Sequence, residues 1–180
     1  MSSVYKIVFA GPIGAGKTRA VKTLSDIEVV STEAAATDGV KRLKAETTVA
    51  MDYGVMNLSN GDRVRLYGTP GQERFDFMWE ILTENALGLV LLIDGSAPNP
   101  VADLRAYVSA FRAIIDKTSV VVGITHTSWG DRVVRPQIAA AMAEMGLPPT
   151  VMNADARERK DMVTLIKSLI YSLDPLYDAR

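Results

Sequence analysis

Apolar positions along the chain fall into two periods. Tyr5 to Ala10 is a short β-rich run, and Leu87 to Ile93 and Val120 to Ile124 are almost unbroken apolar stretches. Runs of that length, bounded by polar residues, predict buried strands of a parallel sheet. Val101, Leu104, Val108, Phe111 and Ile115 recur at helical spacing and predict a helix over 101–116. Thr18 to Leu24, Arg74 to Asn85, Pro136 to Met145 and Asp161 to Leu173 read as further helices. Pro136 opens one of them and Gly146 follows its end, the usual asymmetry of helix termini. Val49 to Leu58 and Arg63 to Tyr67 read as strands, with Asn60-Gly61 between them as a hairpin signal. That pair is therefore expected to be antiparallel. Thr150 to Met152 makes a sixth, short strand, and residues 31–48 read as a long loop. Strands alternating with helices predict one α/β domain over residues 1–180. Its sheet is mostly parallel and six-stranded, with one antiparallel strand, in a three-layer α/β/α sandwich.

The first break in this pattern carries chemistry. Gly11-Pro12-Ile13-Gly14-Ala15-Gly16-Lys17-Thr18 matches G-x-x-x-x-G-K-[ST] in full, with a strand before it and a helix after it. Glycine backbone can approach an anion closely and turn its N–H groups inward. The helix N-terminus adds positive potential. In such a loop Gly11, Ile13, Gly14, Ala15 and Gly16 cradle phosphates, Lys17 reaches the β and γ phosphates, and the Thr18 hydroxyl sits on Mg²⁺. The expected fold class is a P-loop NTPase. The motif specifies a nucleoside triphosphate and leaves the base open.

Two later segments narrow the field. Thr48-Val49-Ala50-Met51-Asp52-Tyr53 opens the second predicted strand, and Gly68-Thr69-Pro70-Gly71-Gln72-Glu73-Arg74-Phe75 follows the third. With the phosphate loop, they make the chain resemble the Ras-like small GTPases over nearly its whole length. It is most similar to a prokaryotic branch of predicted GTPases often encoded beside roadblock-type proteins. The resemblance implies that Thr48 coordinates Mg²⁺ and touches the γ phosphate, with Thr47 one step out of register. It implies that the Gly71 N–H contacts the γ phosphate and that Gln72 orients the attacking water, as in Ras.

The pattern also breaks. The relatives' acid at the start of this second segment is Gly68 here, which leaves magnesium to Thr18, Thr48, phosphates and waters. Asp94 is an alternative acid, though it reads better as a turn cap before Gly95-Ser96. Ile13 is bulky where many relatives are small. It would crowd the γ phosphate and obstruct a partner's arginine, so slow hydrolysis is expected. Lys41, Arg42 and Lys44 read as solvated charges rather than an internal finger. The guanine-reading Asn-Lys-x-Asp of the family is Thr125-His126-Thr127-Ser128 here, so a neutral hydroxyl replaces the discriminating carboxylate. Asp131 is close enough in sequence to substitute. Asp155-Ala156-Arg157 resembles the family's last base-contacting loop, which implies that the Ala156 N–H donates to the guanine O6. Asp155 equally suits a helix N-cap.

Composition removes other classes. There is no cysteine, which excludes disulfides, thiol catalysis and thiolate lipidation. A single histidine, His126, excludes a multi-His metal site. Twenty Lys+Arg against 21 Asp+Glu give a net charge of −1, a poor match to nucleic acid or acidic membranes. No apolar run is long enough to span a bilayer, and the N-terminus does not read as a signal peptide. The expectation is a cytoplasmic protein without a direct membrane anchor. Its ligands are GTP or GDP with Mg²⁺, and its readout is a protein effector or regulator, a roadblock-type protein or a polarity or motility component by resemblance. Phe75, Phe77, Met78 and Trp79 suit either a core-facing helix or a protein interface. Two further readings stay open: a non-hydrolysing nucleotide-binding scaffold and an ATP-dependent phosphotransferase.

Overall fold

The computed structural model describes residues 3–31, 51–70, 76–128 and 132–173. Seven strands form one sheet: β1 (Val4–Ala10), β2 (Val30–Ser31), β3 (Asp52–Asn57), β4 (Arg63–Gly68), β5 (Gly88–Asp94), β6 (Val120–Thr125) and β7 (Val151–Asn153). Their order is β2-β3-β4-β1-β5-β6-β7. β3 is antiparallel to both its neighbours, and the other pairings are parallel. The sheet thus has the expected single antiparallel strand and gains a seventh, two-residue strand at its edge. That strand has no periodicity to find, because two residues paired to β3 carry no pattern.

The helices are α1 (Lys17–Leu24), α2 (Asp76–Thr83), α3 (Pro100–Ala110), α4 (Arg112–Ile115), α5 (Val134–Glu144) and α6 (Arg159–Ser172). The single helix predicted over 101–116 is broken at Phe111, whose φ of −98° and ψ of 11° leave the helical region. Phe111 is buried there, stacked on Trp79 with ring centroids 4.7 Å apart. Packing of that ring outweighs helix continuity.

Alternate strand residues feed two cores, as a period of two demands. Val8, Ala10, Leu91, Ile93, Val122 and Ile124 face one layer, packed by Leu104, Val108, Ile138 and Met142 of α3 and α5. Ile7, Phe9, Val90, Leu92 and Val121 face the other, packed by α1 and α6 through Val21, Leu24, Leu165 and Leu169. The result is the α/β/α sandwich of a P-loop NTPase. Of the aromatic cluster after Gly71-Gln72, Trp79 is core: its Nε1 donates to the Pro70 carbonyl at 3.3 Å. The side chains of Phe75, Phe77 and Met78 lie outside the described residues, as does the loop expected over 32–48.

The β3–β4 hairpin turns as predicted, with different chemistry at Asn60. Gly61 has φ +89°, whereas Asn60 is not among the residues of positive φ. The Gly61 N–H donates to the Leu58 carbonyl, and the Asn60 side chain bonds Asp62. The loop is therefore wider than a two-residue Asn-Gly turn.

Candidate nucleotide site

β1 is the strand where the sheet order reverses direction, with β4 on one side and β5 on the other. The crevice outside the carboxyl end of such a strand is the usual ligand position in open α/β sheets. The phosphate loop leaves β1 at that point. Gly11 there has φ +142°, and a Cβ on it would lie 2.0 Å from the Leu92 carbonyl oxygen. Gly16 has φ +98° and leads straight into α1, whose N-terminus faces the loop without an acidic residue in its first turn. These are backbone requirements that only glycine meets.

Lys17 is buried and folds back over the loop. Its Nζ donates to the carbonyls of Gly11 and Pro12, each at 2.7 Å. Burial pushes its ammonium down to about 8, opposed by the nearby Asp52 carboxylate. Thr18 donates its hydroxyl proton to Asp52 Oδ2 at 2.5 Å. Asp52 opens β3, is buried, and pairs across the sheet with Gly68, where the relatives' acid is missing. Sequence reading passed over this residue. The signal was a charged residue at a position that the strand pattern makes inward-facing.

Asp94 is a turn residue, as expected. Its Oδ1 accepts from the backbone N–H and the hydroxyl of Ser96, and His126 Nδ1 lies 3.2 Å away. Hydrogen bonds from Ser96 and the nearby imidazole hold its carboxyl below the usual range against the cost of burial.

A cavity of about 930 Å³ opens beside the loop, at the ends of β6 and β7. Gly16, Thr125, His126, Ser128, Asp155 and Ala156 line it. The structure therefore brings the residues predicted for the base together at one end of the phosphate loop. Thr125 is buried and directs its hydroxyl to the Ala15 carbonyl at 2.9 Å, so it holds the loop in place. His126 takes φ +54°, and its ring is held against Asp94. Ser128 is exposed. Asp155 is gripped by Arg157, which donates from Nε at 2.9 Å and from Nη2 at 2.6 Å. These bonds, with the Arg157 backbone N–H, draw its carboxyl down to about 2. Asp155 is not the helix N-cap that the sequence also suggests: Glu158 holds that position without a side-chain cap bond, and Asp155 instead closes a turn onto Arg157 while its own N–H donates to Asp161. Ala156 is buried against Gly16 and anchors Thr23 Oγ1 through its carbonyl at 2.7 Å. Thr48, Gly71, Gln72, Asp131 and the basic group at 41–44 lie outside the described residues.

A family model described as a conserved hypothetical ATP binding protein matches residues 27–175. The chain belongs to this family. The match begins after the phosphate loop, so the loop and the family point independently to a nucleotide. The chain is also similar to the intraflagellar transport protein 22 homologue of Homo sapiens, 23% identical over 177 residues, or 96% of this chain and 94% of that protein. The homologue of Danio rerio is 24% identical over 162 residues, 85% of this chain and 82% of its own. An uncharacterized protein of Methanocaldococcus jannaschii is 31% identical over 91 residues, 51% of each chain. Fold, loop and family agree on a nucleotide-binding P-loop protein. Among the described residues no helix is long and apolar enough to cross a membrane.

Proposed function

We propose that the protein is a GTP-binding molecular switch that hydrolyses its nucleotide slowly and signals through a protein partner. The observation that carries this reading is the continuity of a complete phosphate loop with the 930 Å³ cavity, joined at Gly16. In this reading the backbone of Gly11 to Gly16 and the Lys17 ammonium hold the phosphates. Lys17 exchanges two loop carbonyls for phosphate oxygens. Thr125, His126, Ser128, Asp155 and Ala156 surround the base. Thr48 and Gly71 engage the γ phosphate and Gln72 orients the attacking water. Those three roles rest on the resemblance to Ras-like proteins.

Magnesium fits the residues present. Thr18 and Asp52 offer hard oxygen donors 2.5 Å apart at the mouth of the loop. Bound there with Thr18 and Thr48 as ligands, Mg²⁺ would neutralise charge on the β and γ phosphates.

Near full-length similarity to proteins named for intraflagellar transport, not for a metabolic reaction, supports a switch over a phosphotransferase. By resemblance the partner is a roadblock-type regulator and the setting is the cytoplasm. A second reading, an ATP-binding protein, is favoured by the family description and by the neutral Ser128. Calorimetry with GDP, GTP, ADP and ATP, with and without Mg²⁺, separates the two. Guanine nucleotides are expected to bind more tightly; equal or tighter adenine binding supports the second reading. Slow turnover is expected because Ile13 stands 67% exposed on the phosphate loop, where it obstructs an incoming cation. Single-turnover assays should find Ile13→Gly faster than wild type in the presence of an activating partner. Fast hydrolysis by wild type, unchanged in the variant, overturns that expectation. A phosphate-release rate unaltered by Gln72→Leu would favour a non-hydrolysing scaffold.

A further inference from the structure

We infer that His126, its imidazole fixed by Asp94, supplies the uncharged acceptor that reads the base in place of the carboxylate absent at position 128. The inference rests on the nucleotide-binding reading above and names the group that selects guanine within that cavity.

The backbone comes first. His126 follows β6 with φ +54°, in the left-handed region, which turns it off the strand at the cavity wall. A non-glycine residue stays in that region only where its surroundings hold it there. The turn Asp94-Gly95-Ser96 does so here. The Gly95 N–H donates to the Thr125 carbonyl at 2.8 Å, and a Cβ on Gly95 would lie 2.4 Å from Thr127 Cγ2. The turn after β5 is thus in close contact with the chain on both sides of His126.

The proton on the ring comes second. His126 Nδ1 lies 3.2 Å from Asp94 Oδ1, an oxygen itself anchored by the Ser96 N–H at 2.8 Å and the Ser96 hydroxyl at 2.6 Å. An ionised carboxylate only accepts, so the proton of the neutral imidazole sits on Nδ1. Nε2 is then a bare acceptor on the ring edge away from Asp94. His126 lines the cavity with half of its side chain exposed. Other polar groups at that wall are engaged: Asp155 is held by Arg157, Asp161 accepts the Asp155 N–H, and the Thr125 hydroxyl donates to Ala15. Guanine presents its N1–H and 2-amino donors on one edge, where adenine presents a bare N1. A bare Nε2 accepts from the first and repels the lone pair of the second. In the imidazolium both nitrogens donate, so acid removes the acceptor. The charged groups around the ring are Asp94 after β5, Arg19 of α1, Asp155 and Arg157 after β7, and Glu158 and Asp161 at the start of α6.

His126 is the single histidine of the chain, so protein carrying nitrogen-15-labelled histidine reports its two ring nitrogens without ambiguity. At about pH 8, above the ordinary imidazole range, wild type should show a protonated Nδ1 and a bare Nε2. Saturating GDP with Mg²⁺ should shift the Nε2 resonance as it accepts a hydrogen bond, and ADP should leave it unmoved. By calorimetry the GDP-to-ADP affinity ratio should fall about tenfold between about pH 8 and about pH 5.5. His126→Asn tolerates positive φ and does not titrate, so it should lose this pH dependence and keep its melting temperature. Asp94→Asn lacks the charge that fixes the ring proton. It should populate the tautomer protonated at Nε2 and lower the ratio at about pH 8. A proton on Nε2 in wild type, an Nε2 unmoved by bound GDP, or a pH dependence unchanged in His126→Asn overturns the proposal and leaves nucleotide binding intact. A wild type that binds neither nucleotide overturns the underlying reading instead.

Discussion

The two ends of the nucleotide site are built on different principles. At the phosphate end the backbone decides. Gly11 cannot carry a Cβ, Gly16 turns with φ +98° into α1, and Lys17 and Asp52 are buried beneath the loop. At the base end side chains decide, on loops that reach the surface. His126, Ser128 and Arg157 are exposed and Asp155 is half-buried, and the contacts of His126, Asp155 and Arg157 include ion pairs and turn bonds. Steric constraint tolerates no substitution without a large penalty. Exposed polar contacts can be exchanged at small cost. The departures from the Ras-like pattern follow that division in part. His126 and Ser128, both exposed, depart at the base end, and the buried Thr125 departs with them, whereas the loop motif itself is complete.

The largest break in this contrast comes from Gly11→Ala. The added Cβ meets a backbone oxygen of β5 at 2.0 Å and the residue must hold φ +142°. A loss on the order of 4 kcal/mol in folding stability is expected, read as a drop in midpoint by urea denaturation. A near-wild-type midpoint would mean that the loop can rearrange, and the contrast would fail at its rigid end.

An intermediate effect is expected from Ser128→Asp. The position is exposed at the cavity edge, so a carboxylate costs little there. It restores a charged acceptor for the paired donors of guanine, which adenine lacks. The GDP-to-ADP affinity ratio should rise by about tenfold in calorimetry, equivalent to about 1.4 kcal/mol. No change would mean that the 125–128 loop does not face the base.

The smallest effect is expected from Asp155→Asn. Arg157 draws the Asp155 carboxyl to about 2, so the pair stabilises the folded state above the ordinary carboxylate range. The contribution is lost as pH falls through 2. Because the pair is solvated, melting curves of the variant and wild type should nearly coincide at pH 7 and converge fully at acid pH. A large difference at pH 7 would mean that the base end is as constrained as the phosphate end.

Much of this was legible along the chain. The apolar runs marked β5 and β6, the Asn60-Gly61 pair marked the hairpin, and the phosphate loop announced itself by spacing. The reason is that each is a local signal, set by neighbours within a few residues. Other features were not. The helix over 101–116 reads as continuous, yet Phe111 breaks it to stack on Trp79, a contact across 32 residues that periodicity cannot register. The two-residue β2 exists only because β3 is beside it. Ser128 was recognisable as a lost carboxylate, but its exposure at the cavity edge required the fold.

Asp52 marks the boundary most clearly. The sequence by itself determined the phosphate loop, the alternation of strand and helix, and the absence of an acid at position 68, because each is written in consecutive residues. Only the tertiary structure decided that an acid 16 residues earlier lies directly opposite that position. Hairpin register sets Asp52 opposite Gly68, and the parallel pairing of β4 with β1 sets both beside Thr18. Hydrogen bonding between strands links residues distant in sequence, and nothing local to either one announces the meeting.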